Sequence, residues 1–216
     1  MKTTYRSFAL LAGILAGGAI AMGCASTGIQ RSTQAATTMQ TMDNHIKLIV
    51  VQLDATGASL GELTKPGQSD VKRAFELFTG NLSEIEKLER DFAKNSDKME
   101  ARGTDYFEEW EGTQYKNPRI QQLSDQRHLE LEKIYGRIAQ NSVGAKDRFK
   151  AYVAEAKEIQ AYLSNDLTSK GIQSIAPIAA QTVADGEDLK YVMQTIQTAI
   201  EEARAEMSQT GATLYR

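Results

Sequence analysis

The stretch LEKIYGRIAQNSVGAKDRFKAYVAEAKEIQAYL, residues 131–163, decides how this chain folds. Its apolar or small residues fall at Leu131, Tyr135, Ile138, Ser142, Ala145, Phe149, Tyr152, Ala156, Ile159 and Leu163. The steps between them alternate four and three without a slip. A 7/2 spacing is the seam of a long helix packed against partner helices in the manner of a coiled coil. No catalytic motif interrupts it.

The same pattern recurs on both sides. Downstream, Ile172, Ile175, Ala179, Thr182, Gly186, Leu189, Met193, Ile196, Ile200, Ala203 and Met207 form a second seam, and the spacing predicts a helix over 169–208. Pro177 should kink it, although the heptad phase runs through unbroken. Upstream, Met39, Met42, Ile46, Ile49, Leu53, Thr56, Leu60 and Leu63 predict a helix over 39–63. Its middle, Ile46 to Leu53, is apolar on more than one face. Such a helix is either the most buried of the set or shows a second face to a partner. Between these lie Val71, Phe75, Phe78, Leu82, Ile85, Leu88, Phe92, Met99, Tyr106 and Trp110, which predict a helix over 69–115, with Gly103 and Gly112 as places to bend or fray. The remaining helix is expected over 118–164.

The breaks are as legible as the seams. Thr64-Lys65-Pro66-Gly67 stops the first helix, and Ser69 or Asp70 can cap the next. Asn117-Pro118 pairs an N-cap with proline at the first helical position. Residues 165–168, Asn-Asp-Leu-Thr, supply the last turn. Folding the chain at Leu167 sets Phe149 opposite Gly186, Tyr152 opposite Thr182 and Ala145 opposite Leu189. Folding at Pro66 sets Phe78 opposite Gly57. Large residues meeting small ones suit antiparallel neighbours. The expected architecture is all-α, an elongated antiparallel up-down helical bundle with coiled-coil-like packing over 39–209, with a frayed tail at 210–216.

Composition narrows the function. Aromatics are only 7% of the chain, which favours a thin core spread along helices over one compact core. The single cysteine, Cys24, excludes an internal disulfide framework and any multi-cysteine metal site. Without residues 1–23, which hold Lys2 and Arg6, 23 basic residues face 28 acidic ones, and no basic stripe offers itself to nucleic acid.

Lys2 and Arg6 precede an apolar run from Phe8 to Met22, too short and glycine-broken for a membrane span and laid out as a secretory signal over 1–23. The run ends in Ala21-Met22-Gly23-Cys24, which resembles the lipobox of bacterial lipoproteins. That resemblance implies lipidation of Cys24 with palmitate-type acyl chains after cleavage behind Gly23. Ala21 and Met22 depart from the usual leucine and small residue of a lipobox. The alternative is an ordinary cleaved signal that leaves Cys24 as a free thiol. Three acyl chains would anchor the protein stably, where one binds only marginally. Ala25, in place of the aspartate that favours inner-membrane retention, implies the periplasmic face of the outer membrane. Residues 24–38, rich in Ser, Thr, Gln and Ala, read as a lipidated flexible tether.

From Phe107 onward the chain carries Phe107-Glu108-Glu109-Trp110-Glu111, then Tyr115, Asn117, Ser124 and Tyr135, then Tyr162-Leu163, Leu167, Ile172 and Ser174-Ile175. In these residues it resembles the family of uncharacterised Gram-negative lipoproteins catalogued as domain of unknown function 2959. Two departures sit at helix ends: Asp166-Leu167-Thr168 replaces an Asn-Leu-Asn turn, and the stretch after Trp110 is two residues shorter. The resemblance implies a helical fold and an envelope lipoprotein and assigns no activity.

Side-chain chemistry is sparse. Asp125, His128 and Glu132 share one helical face at spacings that could hold a divalent metal, but nothing supplies further ligands, and a charged helix makes such triplets by chance. His45, among threonine, lysine and aspartate, is expected to be exposed. Tyr106, Phe107, Trp110 and Tyr115 form an aromatic cluster at the end of the middle helices. As an end plug it is structural, the favoured reading; as a docking tip it would contact a partner. Consecutive acids such as Glu108-Glu109 and Glu201-Glu202 diverge on a helix and make no acid/base dyad. No nucleophile elbow or phosphate loop is present.

The expectation is therefore a non-catalytic envelope lipoprotein, a structural or spacer rod held to the membrane by its lipid, with no cofactor and no small-molecule substrate. The alternative is an adaptor for a periplasmic or outer-membrane complex. Covalent attachment to the cell wall through a C-terminal lysine is not expected, since the chain ends Leu214-Tyr215-Arg216.

Overall fold

Each turn signal falls at a helix boundary. The computed structural model describes residues 28–207, which form four helices: α1 (Gly28–Leu63), α2 (Val71–Glu111), α3 (Pro118–Asn165) and α4 (Ser169–Met207). The signal at 1–23, Cys24 and the tail at 210–216 lie outside the described residues. Gly67 takes a φ of 81° in the α1–α2 turn, a conformation that a side chain resists. Asp70 caps α2 by accepting the Arg73 N–H at 3.1 Å. Asn117 caps α3 by accepting the Arg119 N–H at 3.0 Å, with Pro118 in the first turn. The Thr168 hydroxyl donates to Asp166 Oδ1 at 2.7 Å and accepts the Gly171 N–H at 3.1 Å, opening α4.

The seams are the core. All ten positions from Leu131 to Leu163 are buried, joined on α3 only by Val153. The α4 seam is buried along its whole length, and Met39 to Leu63 buries every seam position of α1. The pairs α1–α2, α2–α3, α3–α4 and α1–α4 pack against each other, and the two diagonal pairs do not. The bundle is thus four-cornered, with α4 closing against α1. Along every packed pair the residue numbers run in opposite senses. Asp97 and Glu86 of α2 meet Lys146 and Lys157 of α3 at 2.8 and 3.0 Å. Arg127 and Arg137 of α3 meet Glu206 and Glu202 of α4, each at 2.8 Å. Lys190 of α4 meets Asp54 of α1 at 2.7 Å. Exposed pairs of this kind contribute about 0–1 kcal/mol each and chiefly favour one register.

A polar latch fixes α1 on α2. Gln52 Nε2 donates to the Asn81 carbonyl at 3.1 Å, and Asn81 Nδ2 donates back to the Ala55 carbonyl at 3.2 Å. The latch ties two half-buried side chains to helix carbonyls across the α1–α2 interface. Further along, His45 is half-buried and its Nε2–H donates to the Leu88 carbonyl at 3.0 Å, so it is not the exposed histidine its neighbours suggest.

Several expectations shift. The tether expected over 24–38 is helical from Gly28, and Ala35 is fully buried, because α2 and the end of α4, the two helices packed on α1, run on far enough to cover its polar first turns. Helix α2 ends at Glu111, earlier than 115, with Gly112 as its C-cap. Helix α2 is continuous through Gly103, and the Tyr135 ring sits on it. Helix α4 is unbroken through Pro177, whose exposed position leaves the carbonyl four residues back, on exposed Gln173, open to water. Tyr152, not Phe149, overlies Gly186: a Cβ there would be 3.1 Å from Tyr152 Cε2. Phe149 packs on Phe92 of α2, ring centroids 6.1 Å apart. Likewise Gly57 faces Val183 of α4 and not Phe78, with 3.8 Å from a built Cβ to Val183 Cγ1. In the α1–α2 hairpin the facing residue comes from another helix, and in the α3–α4 hairpin it comes from the same helix about one turn further along.

Candidate functional site at the aromatic end

The start of α1, the α2–α3 turn and the end of α4 lie at one end of the bundle. There α2 continues its seam as Phe92, Ser96, Met99, Gly103, Tyr106 and Trp110, again in alternating steps of four and three. Ser96 and Gly103 are buried members of that seam. Small residues among large ones hid them from a search for apolar positions, although the unbroken spacing was the available signal.

Gly103 leaves a seat that the Tyr135 ring fills, and Tyr135 stands edge-on to Phe107 at 5.5 Å. Phe107 also meets Tyr106 at 5.2 Å and His128 at 5.4 Å, while Trp110 meets Tyr106 at 5.7 Å and His128 at 5.6 Å. These edge-to-face contacts set positive ring edges against negative faces. The Trp110 indole N–H donates to Ser124 Oγ at 2.7 Å, joining α2 to α3. Burial pushes the Tyr106 and Tyr135 hydroxyls above their ordinary pKa by disfavouring the phenolate. Tyr106, Phe107 and Trp110 are therefore partly buried packing residues. Tyr115 stands apart from them in the turn, exposed.

Of the face with metal-like spacing, Asp125 accepts from Gln121 at 2.7 Å. His128 is covered by the rings, with Nδ1 4.0 Å from Glu132 and Nε2 4.0 Å from Glu111. Among the described residues no cluster of three or more His, Cys, Asp or Glu side chains could hold a metal ion. Beside the rings, α2 and α3 enclose a groove of about 330 Å³ with Phe107 and Tyr135 in its wall and Glu100, Glu108, Glu111 and Glu132 around it.

A second surface lies on α1. Leu48 and Val51, three residues apart, point outward and are 59% and 67% exposed, while Ile46, Ile49 and Leu53 are buried. The doubly apolar middle of α1 thus has one buried face and one free one. Among the described residues no helix is long and apolar enough to cross a membrane.

Fold and site together define an all-α protein, a long antiparallel four-helix bundle whose seams are filled by its own side chains. The family model described as protein of unknown function (DUF2959) matches residues 33–209, and the chain belongs to that family. No curated protein and no solved structure matches it.

Proposed function

We propose that the protein is an envelope lipoprotein that acts as a non-catalytic spacer, a helical rod held by acyl chains on Cys24 at the periplasmic face of the outer membrane. The observation that carries this reading is the position of Cys24: it closes the apolar run of residues 8–22 and lies four residues before α1 begins. A lipid placed there would hold the bundle by one end. Helix α1, with its 36 residues, would then project about 54 Å from the anchor, and α3, with 48, is about 72 Å long. A rod of that length suits spanning or spacing better than enclosing a reactant. Cys24→Ser is expected to abolish acylation and leave a slower-migrating precursor, followed by metabolic labelling with palmitate and membrane fractionation. Normal maturation and unchanged fractionation of the variant would refute the lipobox reading.

The adaptor reading is favoured by the outward pair Leu48 and Val51 on α1. Large apolar side chains on an otherwise solvated helix face suit helix-on-helix docking. Crosslinking in intact membranes separates the two: an adaptor yields one stoichiometric protein partner, lost in Leu48→Glu with Val51→Glu, whereas a spacer yields none.

A further inference from the structure

The α2–α3 hairpin reaches beyond the point where α1 begins. Carrying the α1–α2 pairing back from His45–Leu88 brings Gly28 level with Asp105 of α2. Residues 106–111 then continue about 9 Å past that level. On α3, Arg127 holds Glu206 near the end of α4 through side chain and backbone, at 2.8 and 2.7 Å. Residues 118–126 extend about 13 Å beyond that contact.

The tip of this overhang, residues 115–123, is apolar and basic, with the exposed Glu108, Glu111 and Asp125 set behind it. Tyr115, Ile120 and Leu123 are 41%, 47% and 67% exposed, and Ile120 and Leu123 are one turn apart on α3. Lys116 and Arg119 lie exposed between them and form no ion pair among the described residues. The exposure does not come from an unformed turn, because the Tyr115 N–H donates to Gln121 Oε1 at 2.9 Å and Asn117 caps the helix.

The reach of the chain says what covers this tip. Residues 25–27 separate Cys24 from Gly28, so the acylated residue can stand no more than about 14 Å from the start of α1, even at full extension. That limit is close to the length of the overhang. We infer that the α2–α3 tip rests in the headgroup layer of the same bilayer that holds the acyl chains, with Tyr115, Ile120 and Leu123 among the lipids and Lys116 and Arg119 on their phosphates. The inference rests on the lipoprotein reading of Cys24. A tyrosine, two aliphatic side chains and two cations at one tip are the combination that partitions into an interface. Contact there would fix the tilt of the rod, which acyl chains on a short connector leave free.

The test uses the mature lipidated protein with Leu123→Cys or, at the opposite turn, Gln68→Cys, each labelled with a bimane fluorophore. The proteins are reconstituted in phosphatidylethanolamine–phosphatidylglycerol vesicles with brominated acyl chains. Emission from position 123 is expected to shift to the blue and to be quenched several-fold, and emission from position 68 to do neither. Ile120→Asp in the Leu123→Cys protein should remove most of the quenching, with helicity unchanged by circular dichroism. Flotation and intact mass are read on the same samples. Acylated protein that floats with an unquenched label at 123 overturns this inference and leaves the anchor intact. Protein without acyl mass, or that fails to float, overturns both. A label shielded in native membranes but not in protein-free vesicles points to a protein partner at the tip, which also overturns it.

Discussion

Gly103→Ala should destabilise this bundle although it places the best helix former in the middle of a helix. In an open site the exchange gains about 1 kcal/mol of helix propensity. At Gly103 the new methyl would stand 2.7 Å from Tyr135 Cδ1 and 2.8 Å from Cζ, where carbon atoms prefer about 3.5–4.0 Å. The ring must retreat by about 1 Å, yet it is only 7% exposed and is packed against Phe107. Overpacking of this degree belongs in the upper part of the ~1–3 kcal/mol range, which outweighs the propensity gain and leaves a net loss of about 1–2 kcal/mol. Gly80 is the matched control, since a Cβ there meets nothing within 4 Å, and Gly80→Ala should stabilise by about 1 kcal/mol. Urea unfolding of the soluble Cys24→Ser protein without residues 1–23, followed by far-ultraviolet circular dichroism, reads both. The midpoints should move in opposite directions at constant slope. In the Tyr135→Leu background the Gly103→Ala penalty should shrink by about 1 kcal/mol or more, since the two side chains share one volume. If Gly103→Ala stabilises as much as Gly80→Ala, the Tyr135 ring is not seated on the glycine.

Asn81→Ala should cost about 0.5–1.5 kcal/mol in the same unfolding assay, because it removes the donor to the Ala55 carbonyl from a half-buried latch; a loss within error would mean that the latch is hydrated. Gly186→Leu should destabilise by about 1–3 kcal/mol, with relief from Tyr152→Ala and none from Phe149→Ala, which alone should cost about 3–5 kcal/mol through its contact with Phe92. Equal relief from both would restore Phe149 as the residue over the glycine. Burial raises the Tyr135 and Tyr152 pKa above the ordinary value near 10, so the folded chain keeps these protons where the unfolded chain loses them. Their contribution is complete below about pH 10 and is lost above it, by about 1.4 kcal/mol per pH unit for each ring. Tyr135→Phe with Tyr152→Phe should flatten the alkaline arm of the stability–pH curve, and an unchanged slope would contradict their burial.

The sequence by itself determined what each helix buries. Apolar residues at a 7/2 spacing can share only one stripe of an α-helix, so the seam from Leu131 to Leu163 was readable before any neighbour was known. The breaks were equally local: Gly67, Asp70, Asn117 and Pro118 act through their own backbone or that of the next turn. Membership of the bundle's polar first turns was not local. Residues 28–38 carry few apolar side chains, and they are helical because α2 and the end of α4 offer Ala35 a surface to pack on.

Only the tertiary structure decided which neighbour each flank of a seam faces. Folding a hairpin in sequence fixes the level of a residue along the axis only to within about one turn, which is why Phe149 stood in the place that Tyr152 takes over Gly186. A seam residue in a four-cornered bundle has two adjacent helices to choose between, and the choice depends on how all four are arranged around the axis. That arrangement turns Phe149 toward Phe92, Gly57 toward Val183 and Tyr135 onto Gly103. It also brings the start of α1 and the exposed tip of Tyr115, Ile120 and Leu123 to one end of the rod, a proximity that no single helix encodes.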